Sequence, residues 1–274
     1  MKHTTQQIDE AIAKSKAIIR EAFSRFAIDD MVITWTGGKD SGLTLWLIRQ
    51  VCQEDGTPLP KVMTIDEFDT FNEIHEFMEK YAKEWGLQLD WRRNEDVVKA
   101  AGSKLNGKVM VKDLSERNQA ELKRIDYTLD AFPFEAESYV GNHLMKTVVY
   151  NMYLEEKDVK AVFQGLRRDE QAARVQDEYF EKKEAAHLIP EHVRIKPILH
   201  FTERLLWDTY QLYDIPYCVL YEQGYRSLGA KTTSAIAEAG VPAWDQDLEN
   251  TVERAGRRQD KEKMMKRLRD LGYM

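Results

Sequence analysis

Only two cysteines, Cys52 and Cys218, occur in the 274 residues. They lie far apart and outside any Cys-x-x-Cys or Cys/His spacing, which argues against a structural zinc and against an iron–sulfur cluster. Both thiols read as buried apolar side chains. No apolar run approaches the length of a membrane span, and the opening MKHTTQQIDEAIAKSKAIIREAF lacks the apolar stretch of a secretion signal. The expectation is a cytoplasmic protein. A basic excess is missing too: 40 Lys and Arg stand against 47 Asp and Glu, for a net charge of −7. With both signs interspersed, no chain-wide footprint for nucleic acid exists, and such a role would need a local patch. Internal repeats and low-complexity tracts are absent as well.

What the chain has is apolar mass, 43% of its residues, enough for one large domain or a domain with an appendage. Ile8, Ala11, Ile12, Ile18, Ile19, Ala22, Phe23 and Phe26 fall at mostly helical spacing and predict an amphipathic helix that packs on a sheet. Next come a strand over MVITWT, a helix over SGLTLWLIRQVCQ, a strand over PKVMTID, a helix over FNEIHEFMEKYAKEWG and a strand over LQLDWRR. Strand and helix in alternation indicate a doubly wound α/β fold, a mostly parallel sheet with helices on both faces. Residues 94–140 are mixed in charge, are broken by Gly102, Gly107 and Pro133, and give no clear architecture. Regularity returns with a helix near 141–157, the strands AVFQGL and RIKPILH, and a helix over TERLLWDTYQLYD capped by Thr202. From about 215 the character changes. The expected division is therefore a nucleotide-binding domain over 1–214 and a C-terminal covering segment with a charged tail over 215–274. Within that tail, residues 253–270 read as a helix, more plainly solvated than docked on a partner.

The stretch VITWTGGKDSGLTLWLIRQV, residues 32–51, places two glycines, a lysine and an aspartate at a strand-to-helix turn. Such a turn aims backbone N–H groups and the positive end of a helix dipole at an anion, phosphate being the natural ligand. Gly37 and Gly38 let the backbone approach closely, Lys39 supplies charge, Ser41 a hydroxyl donor, and Asp40 could hold magnesium on the phosphates. The NTPase P-loop does not fit, because Asp40 follows Lys39 where a hydroxyl is required, and the G-x-G-x-x-G spacing of dinucleotide turns is also missing. An ordinary Gly-Gly turn with Asp40 or Ser41 as the helix cap is the plain alternative.

Further on, FQGLRRDEQAAR closes a strand at Gly165 and sets Arg167, Arg168 and Arg174 close together. At the carboxyl end of a strand in a doubly wound sheet, these guanidinium groups could reach the same phosphates. Equally, Arg168 and Arg174 could pair with Asp169, Glu170 or Asp177 on a solvated helix start. Asp66, closing the second strand, is a candidate for nucleotide or metal contact and just as much for capping the next turn. Arg226 and Lys231 could close over the phosphates from the C-terminal segment.

Taken in order, TGGKDS, GLRRDEQAAR and FTERLLWDTYQLYDIPYCVLYEQGYRSLG resemble the landmark stretches of the phosphoadenylylsulfate reductase family, within the ATP pyrophosphatase superfamily. In that resemblance Thr36 stands in for the first serine of the superfamily's Ser-Gly-Gly-x-Asp-Ser loop. The pattern is most similar to the branch that holds the small subunit of bacterial ATP sulfurylase. Reductases of the family carry a nucleophilic cysteine in a C-terminal segment. This chain has none after Cys218, has Ala230 where some relatives place cysteine, and sets Cys218 in the apolar run IPYCVLY, which argues against sulfonucleotide reduction.

The resemblance therefore implies adenylyl transfer: ATP split between its α- and β-phosphates, with magnesium. Lys39 and the glycine turn would hold pyrophosphate, Asp40 the metal, and Arg167, Arg168 or Arg174 the acceptor anion. It implies sulfate as acceptor, and with it a GTP-hydrolysing partner subunit, because the sulfate–phosphate anhydride is uphill to form. FMN or a nucleic-acid sulfur-modification substrate are the alternative acceptors, and association with another protein or a second copy of the chain stays open. A nucleotide-binding subunit stripped of chemistry would not need Lys39 and Asp40 side by side.

Overall fold

The computed structural model describes residues 1–171 and 174–253. Helix α1 (Thr5–Arg25) opens with a reciprocal Thr4–Gln7 capping box. Strand β1 (Met31–Thr34) then leads through the glycine turn into α2 (Lys39–Asp55), which Gly56 ends in the left-handed conformation, φ 63°. β2 (Lys61–Ile65), α3 (Asn72–Glu84) and β3 (Leu89–Arg92) step outward on one side of β1.

Residues 94–140, without assignable form in the sequence, fold as α4 (Glu95–Ala100), β4 (Lys108–Met110), α5 (Glu116–Arg124) and β5 (Ala131–Pro133). The two strands pair antiparallel as a separate ribbon, and Val97, Val109, Leu122, Phe132 and Phe134 form a core of their own with Leu144, Met145 and Val148. Many short elements and few long apolar periods explain why the pattern did not show in the sequence.

The expected helix near 141–157 runs as α6 (Tyr139–Asn142), a π-helical stretch over His143–Val148, and α7 (Val149–Lys157). β6 (Ala161–Phe163) enters on the other side of β1. β7 (Phe180–Lys183) and β8 (His192–Ile195) follow, then α8 (Glu203–Leu212), where the Thr202 hydroxyl accepts from the Leu205 N–H at 3.1 Å as the sequence predicts. β7 was not foreseen. Its sequence FEKK is too polar to read as a strand, and it pairs antiparallel at the sheet's edge, where lysines are common.

Among the described residues the main sheet has the order β3-β2-β1-β6-β8-β7, all parallel except β7. The doubly wound arrangement expected from the sequence is present. Alternation sorts the side chains: Met31, Ile33, Phe163 and Ile195 pack against α1, α2, α3 and α8, while Val32, Met63 and Val162 pack against Tyr150, Tyr153 and Leu154 of α7. The chain leaves β1 in one direction and later returns on its other side through β6. The crevice of such a sheet lies where those two strands end, and there the glycine turn sits. Both cysteines are buried and unpaired, as expected. No described helix is long and apolar enough to cross a membrane.

Burial holds the imidazoles of His192 and His200 down to about 4, well below the ordinary value near 6.5. The unfolded chain binds those protons first as pH falls, so stability is full above about pH 6.5 and declines through the window down to about pH 4. Replacing His200 by Gln should flatten the pH dependence of the urea midpoint in that window, by roughly the share of one proton. An unchanged slope, followed by circular dichroism, would contradict the assignment.

Candidate active site

β1 ends against its neighbours, the Thr34 hydroxyl donating to the Phe163 carbonyl at 2.9 Å and the Trp35 N–H to the Met63 carbonyl at 2.9 Å. The turn that follows needs glycine at 37. Its φ is +72°, and a Cβ there would lie 2.7 Å from Ile74 Cγ2 of α3. Gly38 caps α2 without a side chain, leaving the helix's first N–H groups to others. Thr36 and Ser41 brace the turn across its mouth: the Thr36 N–H donates to Ser41 Oγ at 3.1 Å, and Ser41 Oγ donates to the Gly38 carbonyl at 3.1 Å. In this structure the Ser41 hydroxyl thus serves the turn itself.

Two tyrosines from the C-terminal half complete the helix start. Tyr221 Oη accepts from the Lys39 N–H at 2.9 Å, and Tyr210 Oη donates to the Lys39 carbonyl at 2.6 Å. Both hydroxyls are buried, and burial raises their pKa, so they remain neutral donors and acceptors. Gly165, two residues beyond β6, lies so close to α2 that a Cβ would fall 2.5 Å from the Asp40 carbonyl and the Ser41 nitrogen.

Lys39 points inward, 2% exposed, and its ammonium group contacts Glu253, the Arg226 carbonyl at 3.1 Å, Asp40 at 3.5 Å and Glu203 at 3.9 Å. Burial opposes its charge, yet Asp40, Glu253 and Glu203 hold its pKa well above the ordinary lysine value. Arg167, fully buried, meets Asp40 through Nη1, Asp169 through Nε at 2.8 Å and Glu253 through Nη2 at 2.5 Å. Asp169 in turn accepts from the Glu203 N–H at 2.7 Å, tying the arginine to the start of α8. Burial raises the carboxyl pKa of Asp40 against the pull of Arg167 and Lys39, and it raises that of Glu203 too. For Glu253 the two cations win over burial and keep its carboxyl well below the usual range.

Of the residues singled out in the sequence, Thr36, Gly37, Gly38, Lys39, Asp40, Ser41, Gly165 and Arg167 come together here. Arg226 joins through its backbone, while its guanidinium holds Glu203 at 2.8–3.1 Å. Of the two arrangements left open for the arginines, Arg167 alone joins the site, and Arg168 and Arg174 make local pairings instead. Arg168 turns toward the sheet edge, donating to the Asp177 carbonyl at 2.8 Å and lying over the Tyr179 ring, while its backbone N–H is held by the Leu199 carbonyl at 3.1 Å. Arg174 pairs with Glu170.

Asp66 caps its turn, accepting from the Phe68 N–H at 2.8 Å and pairing with Arg93 at 3.3 Å. The Lys231 side chain is exposed, and its backbone N–H donates to the Asp69 carbonyl at 2.6 Å. Reading the sequence missed Glu203, Glu253, Asp169, Tyr210 and Tyr221. A glutamate in a helix's first turn or a tyrosine in an apolar run carries no local mark of such a role. The tail helix expected over 253–270 lies outside the described residues apart from Glu253.

As a magnesium site the donors are sparse. Among the described residues no group of three or more His, Cys, Asp or Glu could hold a metal, and of the carboxylates here Asp40 is the one carried by the turn's own helix. One carboxylate suits an ion that arrives on phosphate oxygens and keeps its waters, which is how magnesium is usually bound.

The family model for the phosphoadenosine phosphosulfate reductase domain matches residues 30–235. The sulfate adenylyltransferase subunit 2 of Citrifermentans bemidjiense is 28% identical over 81% of this chain and 70% of its own length. That of Geotalea daltonii is 26% identical over 82% and 71%. Among solved structures, the FMN adenylyltransferase of Candida glabrata in complex with FAD and pyrophosphate superposes with a TM-score of 0.65 at 19% identity, covering 92% of this chain and 90% of that one. The phosphoadenylyl-sulfate reductase of Candida auris gives 0.56 at 17%, covering 86% and 99%. At these identities the structural likeness speaks for the fold.

Replacing Gly165 by Ala forces a methyl group into the backbone at the start of α2. Overpacking of this kind costs about 1–3 kcal/mol, so the urea midpoint should fall accordingly. An unchanged midpoint would contradict the close approach of β6 to the turn.

Proposed function

The chain belongs to the phosphoadenosine phosphosulfate reductase domain family, and from that premise we propose that it is an ATP-dependent adenylyltransferase cutting ATP between its α- and β-phosphates, with sulfate as acceptor. The observation that carries this reading is that Lys39, buried at the N-terminus of α2, and Arg167, buried on the loop after β6, converge on the same two carboxylates, Asp40 and Glu253. Two permanent cations and a helix N-terminus meet at the mouth of a glycine turn, a surrounding that favours a polyanion.

A sulfate oxygen attacks the α-phosphorus, the bond from that phosphorus to the bridging oxygen of the β-phosphate breaks, and pyrophosphate leaves with the electron pair. Sulfate is already ionised, so no general base is required. The burden falls on placing two anions in line and on neutralising the leaving charge. The Lys39 side chain and the N–H groups of the turn and of the first turn of α2 other than that of Lys39 would take the pyrophosphate, and Arg167 the charge around the α-phosphorus. Magnesium, held by Asp40 and the phosphates, would lower the charge of the nucleotide and polarise its oxygens. Cys218 lies buried in the core with its thiol pushed up to about 11, a poor nucleophile, which fits transfer rather than reduction.

The relatives are named as a subunit 2, and we extend to this chain a partner subunit, in our reading a GTP-hydrolysing one, that drives the uphill direction. Acceptor choice we assign to residues 94–140. That unit borders the crevice through Phe134 against Phe68, ring centroids 5.7 Å apart, and through Glu137, which shares Lys146 with Glu67 at 3.1 and 2.8 Å. A flavin acceptor is the second reading, favoured by this aromatic border.

The downhill direction needs no driving partner and gives the test. From adenylyl sulfate, pyrophosphate and magnesium the purified chain should form ATP, and Lys39→Ala and Asp40→Ala should each slow this by about 10²-fold or more. ATP formed from FAD and pyrophosphate instead would move the acceptor to FMN. No ATP from either would overturn the proposal.

A further inference from the structure

Glu253 has no part in the chemistry above, yet it sits at the centre of the site. One carboxylate oxygen contacts the Lys39 ammonium group and the other lies 2.5 Å from Arg167 Nη2, with the residue 8% exposed. A carboxylate bridging two buried cations presents two oxygens and a negative charge, as one face of a phosphoryl group does.

The path that delivers it is tethered rather than packed. Gln246 Nε2 donates to the carbonyls of Gly224 at 3.1 Å and Val241 at 3.0 Å, and Arg204 donates to the Gln246 carbonyl at 3.2 Å. Arg226 donates to the carbonyls of Leu248 and Thr251, each at 3.2 Å, and to the Thr251 hydroxyl. Beyond Leu248 this stretch adds almost nothing apolar to the core: Val252 is 70% exposed. Thr251–Glu253 is therefore held by a few hydrogen bonds, which water can replace at modest net cost, and by one pair of charge contacts, which only another anion can replace.

We propose that Glu253 is an internal competitor for the oxyanion site, so that a ligand carrying linked phosphoryl groups enters by displacing its carboxylate from Lys39 and Arg167. This inference rests on the reading of the turn as a pyrophosphate site. Lys39 and Arg167 are compensated by Asp40, Asp169 and Glu203, and Glu253 adds its charge on the open side of the site until the substrate arrives. The ligand's apparent affinity is then reduced by the fraction of chains in which the site is open. A pyrophosphate, with more charge and more oxygens than a carboxylate, wins the exchange. A singly charged anion does not.

Calorimetric titration of the full chain with inorganic pyrophosphate tests this. Glu253→Gln keeps the shape and removes the charge, and it should bind pyrophosphate at least about tenfold more tightly than the wild type. Glu253→Asp, whose carboxylate sits one methylene shorter, should fall between them, and Glu249→Gln, altering an exposed pair with Arg204 and Lys2, should match the wild type. Thermal unfolding by circular dichroism confirms that each variant is folded. Equal binding by wild type and Glu253→Gln overturns the competitor role and leaves the pyrophosphate site standing, whereas weaker binding by the variant makes Glu253 part of that site. If neither binds pyrophosphate, the reading of the turn falls, and this inference with it.

Discussion

The constraint on which this structure turns is the burial of a lysine and two arginines at the start of one helix. A charged group taken out of water is tolerated only when partnered, and removing a single partner from such a group is far more damaging than exchanging the whole set. Lys39, Arg167 and Arg226 are 3% exposed or less, and each contacts a carboxylate brought by another part of the chain. The nearby carboxylates come from α2 itself, from the loop after β6, from α8 and from the stretch ending at residue 253. α2, the loop after β6 and α8 must therefore be in place together, and the position held by the Glu253 carboxylate must be filled by an anion.

The scaffold supplies this through the ordinary geometry of a parallel sheet. Adjacent strands end at the same level, so what leaves β1 and what leaves β6 meet, and Gly165 lets them meet at backbone distance. The helix dipole of α2 points at the same place. Tyr210 and Tyr221 fill the polar valences of the first turn from behind, a use of tyrosine in which the ring belongs to the core and the hydroxyl to the site. The cluster is thus rigid on the sheet side and held by hydrogen bonds on the side of the C-terminal segment, the arrangement expected where a ligand must enter from one direction only.

Much of this was legible in the sequence, and for physical reasons. The apolar strands and the amphipathic α1 and α8 are long enough for periodicity to speak, and Thr202 was readable as a cap because a hydroxyl before an apolar helix has few other uses. The turn at 36–41 stood out because two glycines, a cation and a carboxylate in sequence are too specific for a simple bend. Illegible were the features settled by tertiary contact: the charged edge strand β7, the ribbon of β4 and β5, the turning of Arg168 away from Arg167, and above all Glu203 and Glu253. A glutamate at 253 opens a run of charges in the sequence, and nothing local distinguishes it from the charged residues that follow. Its position follows only from where the preceding residues are tied, by Arg226 and Arg204.

The central claim, that this turn receives the β- and γ-phosphates as a leaving group, is most directly tested by following the label of γ-labelled ATP through turnover with magnesium and acceptor. All of the label released should appear first as pyrophosphate, with AMP carried on the acceptor and no ADP formed. Label appearing as inorganic phosphate, with ADP as its counterpart, would place the cut between the β- and γ-phosphates and contradict the account.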